Sequence, residues 1–473
     1  MNPGAIGALV VAWLLGVLLV AALWPRERSW RAEWPLVLPL GFLVGMGVTS
    51  YLHLGTTLLT AHPPLLGGAL EIGAIGGLVW VVQRRPAVPG RAGGFRLPQT
   101  WQELLLASVL VQGLVAAVVI GWRTYRAEPF GGWDGWAIWN LHARFLARAG
   151  PAWPALLAEP QLSWTHPDYP RLLAASVARG WSWAGGEAPA VSALVSGAFA
   201  LAVPALLAAL LGRLHGLLAA IGGALLLLGT PFFVTFAANQ HADIPLAGYL
   251  LAAVGCVLLQ EREPAARGWL ALAGLCAGLA AWTKNEGLLF AVVGAVAVVG
   301  HGWRRGWSRR ARAEFLVWLG AALLPVVWFK LALAPPGDLG AGSWSARFLQ
   351  MGEWARHRAI LASLGRDLWQ FGEWLVHPVF ALVLLPIAWR WRPAARAAAG
   401  PVPLVLGGML AGDYFVYLTS PHDLAWHLDS SLVRLLLQLW PLAILWWSLA
   451  LPHDEDSPCA EPAGKPLRRG TVV

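Results

Sequence analysis

Uninterrupted apolar runs of about 20 residues recur along nearly the whole chain, and no other feature restricts its folding as strongly. A hydrocarbon core about 30 Å thick is crossed by a helix of that length. Inside it every backbone N–H and C=O must be satisfied within the segment, which leaves helices or closed barrels. The ten-residue alternation of a barrel strand is absent. The fold class is therefore an all-α polytopic membrane protein. Composition agrees: 58% of the 473 residues are hydrophobic and 12% charged, about half the charged share of an average soluble domain.

We read 13 spans, at 4–24, 35–59, 64–83, 101–121, 189–211, 216–236, 242–260, 268–283, 286–301, 314–334, 378–391, 401–418 and 432–451. The first is read as a retained helix rather than a signal peptide, because no Lys or Arg precedes it and Arg26, Arg28 and Arg31 follow it. With the first connection cytoplasmic, cytoplasmic segments hold 21 of the 34 Lys and Arg residues in short stretches such as Arg304 to Arg312. Basic residues are retained on that side, so the bias predicts an N-terminus outside and a cytoplasmic tail. It also accounts for the net charge of +9 without nucleic acid. Cys256 and Cys276 lie in apolar runs and Cys459 in the tail, with no disulfide pair or zinc spacing in any loop.

The organisation expected from this is a three-helix addition over 1–100, a membrane module over 101–451 and a polar, disordered tail over 452–473. Three outer segments, 122–188, 335–377 and 419–431, are too long or too polar for plain turns. Short outer corners accompany them at 237–241 and 284–285. Functional residues tend to sit on connections held by a rigid scaffold, which directs attention to this face.

Segment 122–188 holds eight Trp residues, a side chain that favours the bilayer interface. Within it Trp133 to Arg148 has helical spacing, with Ile138, Leu141 and Phe145 on one side and Asn140, Arg144 and Arg148 on another. That pattern predicts an amphipathic interfacial helix. Asp134 opens it among tryptophans, either as a helix cap or as a general base for a hydroxyl in a partly dry cleft. His166, Asp168 and Tyr169 lie between prolines in Trp164 to Pro170, as a rigid turn or as substrate contacts.

His241 and Asp243 precede a new span, where an acid also suits a helix start. Lys284 and Glu286 interrupt an apolar stretch, either pairing across a tight hairpin or serving a site, since ionisable groups at membrane depth are costly. The last outer segment concentrates His422, Asp423, His427, Asp429 and Arg434. Arg434 suits a phosphate at headgroup level, or snorkels to the interface.

These residues resemble the GT-C superfamily of membrane glycosyltransferases, in the branch of protein O-mannosyltransferases and the lipid A aminoarabinose transferase. The resemblance covers about residues 101–450 and rests on layout: a span, a long first outer loop bearing an acid, then spans with charged outer corners. Trp133-Asp-Gly-Trp-Ala-Ile-Trp-Asn140, His166-Pro-Asp-Tyr-Pro170, His241-Ala-Asp243, Thr283-Lys284 and Pro421-His-Asp-Leu-Ala-Trp-His427 are similar to uncharacterised bacterial members. The resemblance implies a plasma (inner) membrane enzyme whose site faces the periplasm or exterior. Its donor would be a polyprenyl-phosphate-linked sugar and its acceptor an extracytoplasmic glycan, lipid or protein.

On the same ground Asp134 would be the base of an inverting transfer and Lys284 and Arg434 would hold the leaving phosphate. His166, Asp168, Tyr169, His241, Asp243, Glu286, His422, Asp423 and His427 would be substrate contacts. Relatives often carry a paired acid where Gly135 follows Asp134 here. No cofactor is implied with certainty, and a divalent cation stays open because Asp243 alone supplies too few oxygen ligands.

Three other readings compete. A transporter or flippase of a lipid-linked glycan would place polar groups at the midplane of matched halves, whereas Glu71 is the one acid deep in an early span and the halves do not match. A non-enzymatic scaffold would tolerate outer-face substitutions. A polysaccharide ligase or polymerase would carry its large loop late in the chain.

Overall fold

The computed structural model describes residues 2–60, 63–86, 97–337, 343–374 and 400–450. The span read at 378–391 and the tail at 452–473 lie outside them. The described residues contain helices and no strand. Ten helices are long and apolar enough to cross a membrane. They are α1 (Pro3–Leu23), α2 (Trp34–Leu59), α3 (Pro63–Gln83), α4 (Trp101–Ala127), α8 (Pro189–Leu214), α11 (Asp243–Arg262), α13 (Asn285–Arg304), α14 (Arg309–Ala332), α17 (Val402–Thr419) and α18 (Leu424–Ala450).

Two further apolar runs take other forms. The run at 216–236 is α9 (Leu217–Leu228) and α10 (Pro231–Ala238), which meet at 64°. Pro231 has no N–H to continue the first helix and suits the start of the second. The run at 268–283 is α12 (Trp269–Thr283), every residue of which is buried. At 1.5 Å per residue it is roughly 22 Å long, short for the hydrocarbon core, and it is surrounded by protein, packed on α11, α13 and α14.

The long segment 122–188 is mostly helical. Gly135–Asn140 form a π-helical turn, followed by α5 (Leu141–Arg148), α6 (Trp153–Leu157) and α7 (Leu172–Ala184). The expected helix is present, but its buried face differs from the expected one. His142, Ala143 and Leu146 are buried, whereas Leu141 and Phe145 are only half-buried. A π turn holds more residues than an α turn, so it rotates whatever follows relative to a 3.6-residue register. The buried side of α5 meets α7.

Segments 335–377 and 419–431 also contain helix. Segment 335–377 contains α15 (Trp344–Met351) and α16 (Trp354–Gln370). The final span begins at Leu424 rather than 432, because the Asp423 carboxylate accepts the Trp426 N–H (2.9 Å) and starts the helix. Arg434 therefore sits about three turns inside α18.

Two ion networks, one buried and one partly buried, tie the bundle together away from the corners at 237–241 and 284–285. Arg179 of α7 donates through Nε and Nη2 to Glu71 of α3, 2.6 Å each, and through Nη1 to the carbonyl of Ala8 (2.8 Å). This explains the acid deep in an early span: it holds α3 to α7. At the opposite end of the bundle Glu263 takes Arg28 (2.8 Å), Arg213 and the Trp269 Nε1–H (3.3 Å).

Candidate active site at one end of the bundle

The corner after α10 docks directly on the chain after α4. Gly132 donates its N–H to the Asn239 carbonyl (3.2 Å) and the Gln240 amide donates to the Pro129 carbonyl (3.1 Å). A Cβ on Gly135 would lie 2.7 Å from the Asn239 oxygen and 2.8 Å from the Phe130 oxygen, so only glycine permits this approach. Asn140 closes the π turn: its side-chain nitrogen lies 2.9 Å from the carbonyls of Phe130 and Gly135 and from the Gln240 amide oxygen. These contacts bring Asp134 beside Asp243.

Asp134 has helical dihedrals and makes no cap hydrogen bond. Its carboxylate instead accepts from Nη2 of Arg434 at 2.5 Å. The same guanidinium reaches Asp243, with Nη2 at 3.2 Å and Nε at 3.4 Å from Oδ2. Asp243, fully buried, also accepts from Lys284 (3.0 Å) and from the Gln438 amide (2.6 Å), both on Oδ1. His241 Nδ1 lies 3.6 Å from Asp243. Lys284 pairs in turn with Glu286 at 2.6 Å. The hairpin pairing considered for Lys284 and Glu286 thus exists, within a larger cluster.

Asp168 belongs to an adjoining group. Its Oδ2 accepts from the Asn285 amide (2.8 Å) and lies 3.3 Å from Lys330 of α14, whose ammonium also reaches the Asp168 carbonyl (2.5 Å) and the Asn285 amide oxygen (2.7 Å). Tyr169 stacks between His166, 4.8 Å between centroids, and Trp139, 5.7 Å. Burial pushes the Tyr169 phenol well up, and Glu286 adds to this, so its hydroxyl remains protonated.

Behind this turn Arg171 donates to His142 Nδ1 (2.5 Å) and to the Pro167 carbonyl. Arginine only donates, so Nδ1 is an acceptor and His142 is neutral. Burial holds His142 well below its usual range, with the Arg171 charge adding to it. Burial also pulls Arg171 down to about 9, against the attraction of Asp168.

The structure therefore gathers Asp134, His241, Asp243, Lys284, Glu286 and Arg434 into one ion-paired cluster, with Asp168 and Tyr169 beside it. His422, Asp423 and His427 form a separate group at the start of α18. The two imidazoles lie 5.6 Å apart, and His427 meets Tyr417 edge-on at 4.8 Å. None of the three hydrogen-bonds to Asp134, Asp243, Lys284, Glu286 or Arg434. Asn140, Gln240, Asn285, Lys330 and Gln438 are contributors that sequence reasoning missed. Lys330 could have been found, since it is the one Lys or Arg inside the run 314–334. Among the described residues no group of three or more His, Cys, Asp or Glu could hold a metal ion.

The fold and this cluster define a polytopic, all-helical membrane protein with a carboxylate–guanidinium–ammonium centre where its helices end. Residues 185–329 match the family model described as dolichyl-phosphate-mannose-protein mannosyltransferase, a GT-C family. The match supports a membrane glycosyltransferase of the GT-C type. It spans the segment carrying His241, Asp243, Lys284 and Glu286, while Asp134, Asp168, Lys330 and Arg434 lie outside it. Comparison with curated proteins and with solved structures found no match.

Proposed function

We propose that this protein transfers a sugar from a polyprenyl-phosphate donor to an acceptor hydroxyl on the extracytoplasmic face of the plasma membrane, with inversion. The observation that carries this reading is that Arg434 joins Asp134 to the Asp243–Lys284 pair. One cluster thus combines a carboxylate able to take a proton with two cations suited to a departing phosphate. Asp134 accepts the proton of the acceptor hydroxyl as that oxygen bonds to the anomeric carbon. The bond from that carbon to the phosphate oxygen breaks on the far side and its electron pair leaves with the phosphate. Lys284 and Arg434 stabilise the charge gathered there. Asp243 holds both cations, and Asp168, Tyr169, His166 and His241 shape the approach.

The test is release of polyprenyl phosphate from a panel of polyprenyl-phosphate sugars in nanodiscs, comparing the parent with Asp134→Asn at matched folding stability. Loss of roughly 100-fold or more is expected, the lower range of a general base's contribution. Equal turnover by the variant would remove Asp134 from the chemistry. No turnover with any donor would favour transport of a lipid-linked glycan.

A further inference from the structure

The two carboxylates that share Arg434 are held very differently. Asp243 keeps Lys284 at 3.0 Å and Gln438 at 2.6 Å whatever Arg434 does. For Asp134, Arg434 is the sole hydrogen-bond partner among the described residues. The guanidinium meets the carboxylates through Nε and Nη2. Its Nη1 edge has no hydrogen-bond partner among the described residues, and the side chain is 18% exposed.

We propose that Arg434 masks Asp134 until the donor binds, and that a lipid phosphate arriving on the open edge of the guanidinium draws it off Asp134 and frees that carboxylate to act as the base. This inference rests on the function proposed above and adds an order to it: donor first, acceptor second. The phosphate offers several charged oxygens in the geometry that a guanidinium fork prefers, so it competes well with a single carboxylate oxygen. Asp243 loses little by the exchange, because Lys284 and Gln438 stay with it. Asp134 loses its only partner.

The test uses the full chain in detergent with farnesyl phosphate as probe. Infrared difference spectra follow the carboxylate stretch that is missing in Asp134→Asn, while calorimetry follows binding independently. The expected result is a displaced Asp134 band whose amplitude saturates at the same probe concentration as the heat. In Arg434→Gln the band should begin near the displaced position and ignore the probe, and Arg434→Met serves where that variant does not fold. Binding that leaves the band in place overturns the masking and leaves the proposed transfer standing. Absence of binding overturns the masking together with the lipid-phosphate donor.

Discussion

Lys284 and Asp243, 41 positions apart, meet at 3.0 Å with their side chains 4% and 0% exposed. A buried pair of this kind is weak evidence of net stabilisation but expensive to break from one side, because the survivor keeps an uncompensated charge. Lys284→Met leaves Asp243 its contacts with Arg434 and Gln438, so its cost is expected below the roughly 3–5 kcal/mol of a fully stranded charge. The double variant Lys284→Met with Asp243→Leu should recover much of that loss. Thermal unfolding of both in one detergent checks the order, and a double variant less stable than the single would contradict it.

His142 supplies a pH dependence. Burial depresses its folded-state value, so the unfolded chain binds the proton more readily. The corresponding stability is complete above about 6.5, the unfolded value, and falls as pH drops below it, by at most about 1.4 kcal/mol per pH unit for one proton. Melting temperatures of the parent should decline between pH 7 and pH 5. His142→Gln, whose amide oxygen can still accept from Arg171 but does not titrate, should show a shallower decline over the same range.

Gly287 and Gly300 lie on the same helix and should respond oppositely to alanine. A Cβ on Gly287 would fall inside the Ala280 carbonyl, across the corner that presents Lys284 and Glu286. Gly287→Ala is expected to lose more than about 4 kcal/mol or to fail to fold. Nothing lies within 4 Å of a Cβ on Gly300, so Gly300→Ala should be neutral or stabilising by up to about 1 kcal/mol. Folded yield and melting temperature separate the two cases.

Glu71 is one of two buried residues on α3, the other being Gly67. Glu71→Ala strands the buried Arg179 charge and removes the side chain that docks α3 on α7. The melting temperature should fall, and Glu71→Ala combined with Arg179→Met should fall less. Equal melting of the parent and Glu71→Ala would show that α3 is held by other contacts.

Much of this architecture was legible because hydrocarbon imposes a simple rule on composition. Most apolar runs became helices with edges displaced by a few residues. The corners at His241, Asp243, Lys284 and Glu286 stood out for the same reason, as charges where apolar residues were expected. Three features were hidden. Pairings such as Asp134 with Arg434 join residues 300 positions apart, which no local pattern encodes. Neutral amides such as Gln438 and Asn285 do not raise the charge count that marks a site. His422, Asp423 and His427 stand apart from that cluster, at a helix start capped by Asp423, and sequence density alone does not reveal that separation.

The wide turn at Gly135–Asn140 lets this stretch carry one residue more than an ordinary helix of the same rotation. Six residues at roughly 82° each turn the chain about as far as five at about 100°. A homologue one residue shorter here, with an ordinary helical turn, should therefore still present its Asp toward Arg434. The same turn tightened at unchanged length would keep every side chain named at the centre and swing the carboxylate away by roughly 100°.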